Sequence, residues 1–147
     1  MSLPSNQFTI CNKAYGLYVG RPQREDKSLL PKPIVALPEG VRSAWTTKSS
    51  KPNTSILMVG GAPTAAMTNQ VFAILLPEPP ATTWKIMPVP QAGANTYLIT
   101  KADNPSQGWV MPSGQSNTQV AVRPLIMGPS DPPYYPPNQL WTIIPQN

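Results

Sequence analysis

Twenty-one of the 147 residues are proline, about three times the usual frequency, and they are spread along the whole chain. Proline has no backbone N–H and its ring clashes with the preceding helical turn, so few windows are long enough for a helix. The chain is therefore expected to be all-β. Abundant proline can also mean disorder, but 40% of the residues are apolar and only 12% charged, with Trp, Tyr, Ile and Val in short clusters. Chains too polar to bury a core have the opposite composition. The length is that of one folded domain.

The tryptophans mark a repeat. Trp45 in "SAWTTK", Trp84 in "TTWKIM" and Trp141 in "QLWTII" each lead a short alternating run that closes a unit. The units open alike, with "QFTICN" at 7–12, "SILMVGG" at 55–61 and "TYLITKA" at 96–102. Second strands are expected in "GLYVG" (16–20), "APTAAM" (62–67) and "GWVMP" (108–112), and third strands in "PIVAL" (33–37), "VFAILL" (71–76) and "VAVRPLI" (120–126). Between them lie "KSSKPNT", "PVPQAGAN" and "ADNPSQG", which carry the Gly, Pro, Asn and Ser of tight turns. Twelve short strands in three four-stranded repeats, about 7–48, 54–88 and 96–145, predict a β-trefoil filling residues 1–147. One such unit cannot bury its apolar face alone, whereas three close a shared core. Trp45, Trp84 and Trp141 are expected in that core, with sugar stacking as their functional alternative. Trp109 falls outside the repeating set and is the expected exposed aromatic residue.

The net charge of +5 lies in the first third: residues 1–51 hold eight basic side chains against three acidic, and the remainder is balanced. Nucleic-acid binding is not expected, because a binder carries a denser basic stripe interleaved with aromatic residues. No apolar run is long enough for a membrane helix and "MSLPSNQFTI" lacks signal-peptide character, so a cytoplasmic protein without membrane attachment is expected. With one cysteine, no intrachain disulfide forms. Cys11, within the strand-like "FTICN", is expected to be a buried, inert thiol. Asn53 opens the sequon "NTS", which without a secretory route stays unmodified.

Catalysis is poorly supported. The chain has no histidine, which removes the general base of Ser-His-Asp and Cys-His mechanisms and the commonest metal ligand. One cysteine and six scattered carboxylates form no recognisable metal set. A glycosidase needs two carboxyls about 5 to 10 Å apart, and nothing in the pattern pairs them. "GGAPT" at 60–64 matches no phosphate loop. No catalytic residue, metal or cofactor is expected, and the chain is expected not to be an enzyme.

A binding protein on a barrel scaffold works through its loops. "GRPQREDKSLLPKP" carries Arg21, Arg24, Lys27 and Lys32 beside Glu25 and Asp26, and "IMGPSDPPYYPPNQ" at 126–139 holds five prolines. Proline restricts loop entropy, so the second loop is expected to be stiff and extended. A rigid loop suits inhibition of a protease, lying in the active-site cleft like a substrate but resisting turnover. Lys27 before Ser28, or Arg24 before Glu25, supplies the cation for a trypsin-like specificity pocket, with Pro31 and Pro33 bracing the downstream end. The plain alternative is a solvated basic turn.

"VGRPQREDKSLLPKPIVALPEGV", "GGAPTAA", "QGWVMP" and "QVAVRPLIMGPSDPPYYPPNQLW" together resemble the β-trefoil serine protease inhibitors of basidiomycete mushrooms, the group that includes cospin and cnispin. The resemblance runs from "SLPSNQFTI" to "LWTII". It implies an inhibitor of trypsin-like enzymes that defends the fungus or regulates its own proteolysis. It also implies a reactive bond in one of two loops. In the first, residues 21–32, Arg24, Glu25, Asp26, Lys27 and Ser28 form the candidate protease-binding segment, with Lys27 favoured because the small Ser28 follows. In the second, near 127–137, the candidates are Met127, Gly128, Pro129 and Ser130. Met127 departs from the basic residue a trypsin inhibitor needs, so this loop either suits a chymotrypsin-like pocket or is idle.

The alternative function is a lectin, since trefoils also bind carbohydrate and fold alone does not decide between the two. Lectin trefoils repeat a QxW signature; here the corresponding positions are Ser43, Thr82 and Gln139, so only "QLW" conforms.

Overall fold

A computed structural model describes residues 7–22, 24, 25, 27–51, 54–77, 80–130 and 132–146. The strands are β1 (Phe8–Asn12), β2 (Val19–Gly20), β3 (Lys32–Pro33), β4 (Val35–Ala36), β5 (Trp45–Lys51), β6 (Thr54–Val59), β7 (Ala62–Met67), β8 (Gln70–Ala73), β9 (Trp84–Pro88), β10 (Thr96–Lys101), β11 (Asn104–Val110), β12 (Ala121–Pro124) and β13 (Trp141–Pro145). The described helical structure is two single 3-10 turns, Pro90–Ala92 and Pro137–Gln139, each with proline where a missing N–H is harmless.

The pairings close a ring. β1 pairs with β5, β5 with β6, β6 with β9, β9 with β10, β10 with β13, and β13 with β1, all antiparallel. These six strands form a barrel without free edges. The remaining strands make three hairpins, β2–β4, β7–β8 and β11–β12, joined to one another through Lys32↔Ala73, Ala121↔Gln70 and the Val35↔Gln119 bridge. A six-stranded barrel capped by three hairpins is the β-trefoil. The third strand of the first unit departs from a strict repeat, because β3 pairs with β8 while β4 pairs with β2. The chain changes partner at Ile34, whose N–H donates to Val71 and whose carbonyl accepts from Val120.

All four tryptophans are fully buried at 0% exposure, and Trp109 lies at their centre. Its ring centroid is 5.8 Å from Trp45, 5.5 Å from Trp84 and 5.7 Å from Trp141, the last two contacts edge to face. The exposed position expected for Trp109 is therefore wrong. The three repeating indoles donate to the second strand of their own unit: Trp45 to the Val19 carbonyl, Trp84 to Thr64 Oγ1 and Trp141 to the Trp109 carbonyl. Val19, Thr64 and Trp109 thus occupy corresponding places around the pseudo-threefold axis. Only one of them can carry a large ring toward it, so the residue that breaks the repeat fills the centre. The Trp109 indole N–H is buried without a hydrogen-bond partner. Leaving a buried donor unsatisfied costs about 1–3 kcal/mol, which the three ring contacts and the buried area offset.

Candidate functional loops

The first candidate loop joins β2 to β3 and is held at both ends. Upstream, the Arg21 guanidinium makes a bidentate ion pair with Glu25, Nε to Oε2 at 2.8 Å and Nη2 to Oε1 at 2.6 Å. The hydrogen bond from Glu25 raises the Arg21 pKa further above its ordinary value, so the cation persists at any physiological pH. Arg21 also lies across the hairpin turn between β6 and β7. Gly60 and Gly61 there have φ of +57° and +77°, as a two-residue type I′ turn requires, and a Cβ on Gly60 would come within 3.1 Å of Arg21 Nη1. The glycine pair of "GGAPT" therefore serves as a tight turn that lets the arginine approach.

Downstream, Ser28 Oγ accepts from the Leu30 N–H at 3.3 Å and from Lys32 Nζ at 3.2 Å. Lys32, counted in the sequence as one of the loop's cations, is only 4% exposed and sits in β3 opposite Ala73. Pro33 follows it in the same pairing, opposite Phe72, so sheet pairing itself anchors this end. Between the anchors Arg24 and Lys27 are exposed, Glu25 and Ser28 half-buried, and Leu29 and Leu30 project into solvent. Asp26 lies outside the described residues.

The second candidate loop joins β12 to β13. It does not run extended: Gly128 bridges antiparallel to Tyr134, its N–H donating to the Tyr134 carbonyl, and the chain reverses between them. Proline stiffens a segment without dictating its direction, and the small residues at 128 and 130 let it turn. Ser130 Oγ donates to the Pro132 carbonyl at 2.9 Å, and Pro129 and Ser130 are exposed. Met127 is 61% exposed beside the equally accessible Ile126. The Tyr135 hydroxyl contacts Met127 Sδ at 3.7 Å, and Gln91 Nε2 donates to the Pro133 carbonyl at 3.1 Å.

Across the base of this loop, two residues after β12 and two before β13, the buried side chain of Gln139 grips the backbone of Ile126. Its Oε1 accepts from the Ile126 N–H at 2.7 Å and its Nε2 donates to the Ile126 carbonyl at 2.9 Å. Sequence reading had singled out Gln139 only as the glutamine of "QLW". Its amide is committed to the loop instead. The braces described for the two loops are different residues.

Other singled-out residues are structural. Cys11 is half-buried, and burial pushes its thiol pKa up while Arg42 partly opposes the shift, so the nucleophilic thiolate is disfavoured. Arg42 itself lies over the Tyr18 ring at 5.1 Å. With every tryptophan buried, none is available to stack on a sugar. Asn53 lies outside the described residues.

The profile of the family described as peptidase inhibitor I66 matches residues 1–145. A serine protease inhibitor from Lentinula edodes is 41% identical over 128 residues, covering 86% of this chain and 87% of that protein. The structure of a proteinase inhibitor from Coprinopsis cinerea superposes with a TM-score of 0.90 at 37% identity, covering 97% of this chain and 99% of that one. A ricin B-like lectin from Macrolepiota procera, solved with lactose, superposes with a TM-score of 0.69 at 15% identity over 98% of each chain, a likeness of fold alone.

Proposed function

The chain belongs to the peptidase inhibitor I66 family, a family of inhibitors and not of enzymes, and from that premise we propose that it inhibits trypsin-like serine proteases through its first loop. Lys27 is the side chain that fills the acidic specificity pocket, and the Lys27–Ser28 bond is the one presented for attack. The observation that carries this reading is the anchoring of both flanks of an exposed lysine. The Arg21–Glu25 pair holds the upstream side, and Ser28 with the β3 pairing holds the downstream side.

The consequence is kinetic. When a protease attacks Lys27, the leaving amine of Ser28 would normally diffuse away and let water deacylate the enzyme. Here Ser28 stays tethered to β3, so its amine remains beside the acyl carbon at high effective concentration and religation outruns hydrolysis. Because both flanks of the loop are anchored before binding, less entropy is lost on docking. Arg24 is also exposed, but its successor Glu25 is engaged by Arg21, whereas Lys27 is followed by a small residue.

A second reading is favoured by the Gln139 grip on the Ile126 backbone. The second loop offers Met127 directly after the clamped Ile126, and an unbranched apolar side chain suits a chymotrypsin-like pocket.

Inhibition of trypsin and chymotrypsin by the wild type, Lys27→Ala, Arg24→Ala and Met127→Ala tests both readings. Loss of trypsin inhibition in Lys27→Ala alone is the expected result; loss in Arg24→Ala alone would move the reactive bond three residues upstream. Chymotrypsin inhibition that disappears only in Met127→Ala would assign the second loop. A folded wild type that inhibits neither enzyme would overturn both.

A further inference from the structure

Beside the second loop lies a cleft of about 230 Å³ that neither loop mechanism uses. Its floor is Val89 and Leu140, buried members of a small satellite core, and its walls include Tyr134 and Tyr135. Gln91 and Lys13 also line it. Both walls are stiff: one is the 3-10 turn Pro90–Ala92, the other the proline-bounded segment 133–137, and Gln91 ties them by its bond to the Pro133 carbonyl.

Lys13 is positioned rather than merely nearby. Its backbone N–H donates to the Leu140 carbonyl at 3.0 Å, at the cleft floor. Its side chain then passes over Gly93, where a Cβ would lie 2.9 Å from Nζ, so the absence of a side chain at 93 makes room for the ammonium. Among the described residues no carboxylate lines the cleft and none pairs with Lys13. An apolar, ring-lined slot with a lysine in its lining and no acidic residue among the described ones beside it is complementary to an apolar group that carries its own negative charge.

We propose that this cleft binds an aromatic or large apolar group bearing a carboxylate, with the ring between Tyr134, Val89 and Leu140 and the carboxylate on Lys13. The space exceeds the roughly 150 Å³ that accepts one benzene ring in an apolar cavity, so a ring with a short acid-bearing chain fits. Two sources share this chemistry: a free aromatic acid, and the C-terminal residue of a peptide such as a protease releases. Tyr134 bridges Gly128 and Tyr135 touches Met127, so occupancy is felt by the second loop without depending on protease inhibition.

The test is a titration of the full chain with 3-phenylpropionate, N-acetyl-L-phenylalanine and the uncharged 3-phenylpropanol, followed by the NMR shift of the Met127 methyl group. Saturable binding of an acid with a Kd of about 1 mM or tighter is expected. The alcohol should bind about five-fold more weakly, the worth of one charge contact near a surface. Lys13→Gln, at an exposed side chain, should bring the acids down to the alcohol's affinity, and Ala92→Trp, which fills the cleft, should abolish binding. Tighter binding of N-acetyl-L-phenylalanine would identify a peptide C-terminus as the source, and tighter binding of 3-phenylpropionate a free acid; either supports the site. No saturable shift of the wild type by about 10 mM acid, ten times the expected Kd, would overturn it. So would an acid affinity unchanged in Lys13→Gln.

Discussion

The two loops are stiffened by different physics. The first is pinned at its ends, by a half-exposed ion pair upstream and by sheet pairing downstream, leaving Lys27 in a span between anchors. The second is pinned across its base, where the buried amide of Gln139, two residues before β13, takes the N–H and the carbonyl of Ile126, two residues after β12. An ion pair near the surface is screened by salt and adds little alone, whereas a buried amide pair is insensitive to salt and costly to break. The upstream anchor of the first loop is therefore tunable by salt and the grip on the second is fixed. Their exposed side chains also differ: a cation that needs an acidic partner, and a methionine that needs an apolar one.

The largest expected effect separates them outright. Lys27→Ala should weaken trypsin inhibition by about 1,000-fold, in the upper range for a central hot-spot residue, while Met127→Ala leaves it unchanged. Equal losses in both variants, measured as inhibition constants, would erase the distinction between the loops. Next in size, Met127→Lys introduced into Lys27→Ala should restore trypsin inhibition by about 100-fold, since the second backbone is already clamped and lacks only the charge. Failure to restore it in a folded protein would show that the Gln139 grip does not produce an inhibitory conformation.

Gln139→Ala should lower stability by about 2 kcal/mol in denaturant unfolding, because the N–H and the carbonyl of Ile126 each lose a partner, and should weaken any chymotrypsin inhibition about tenfold. Trypsin inhibition should not move. The smallest effect belongs to Glu25→Gln, which should weaken trypsin inhibition only about two- to five-fold at low salt. The difference from wild type should shrink in about 1 M salt, where the screening length is roughly 3 Å. A larger, salt-independent loss would mean that Glu25 contacts the protease directly.

Much of the fold was legible because its signals are local. Proline excluded helices, the three repeating tryptophans marked the closing strands, and every expected strand position holds a strand in the structure. Trp109 was misplaced because a repeat pattern describes what three units share, while the axis where they meet holds a residue that only one can supply. The site was legible as two loops but not as two braces. Arg21 and Glu25 lie four residues apart and could have been paired from spacing, whereas Gln139 is thirteen residues from the residue it holds and looked like a fragment of a sugar-binding signature. Lys32 looked like one more loop cation until its pairing in β3 buried it.

By itself the sequence determined the class of fold, the positions of the strands and the side chains available to meet a protease, since all three follow from backbone chemistry and short-range periodicity. Only the tertiary structure decided which of those side chains are free. Closing the barrel brings Gly60 under Arg21, Ala73 beside Lys32, Gln139 to Ile126 and Lys13 over Gly93, contacts between distant segments that no local pattern encodes. Exposure of Lys27 and Met127 is what remains after those contacts are made.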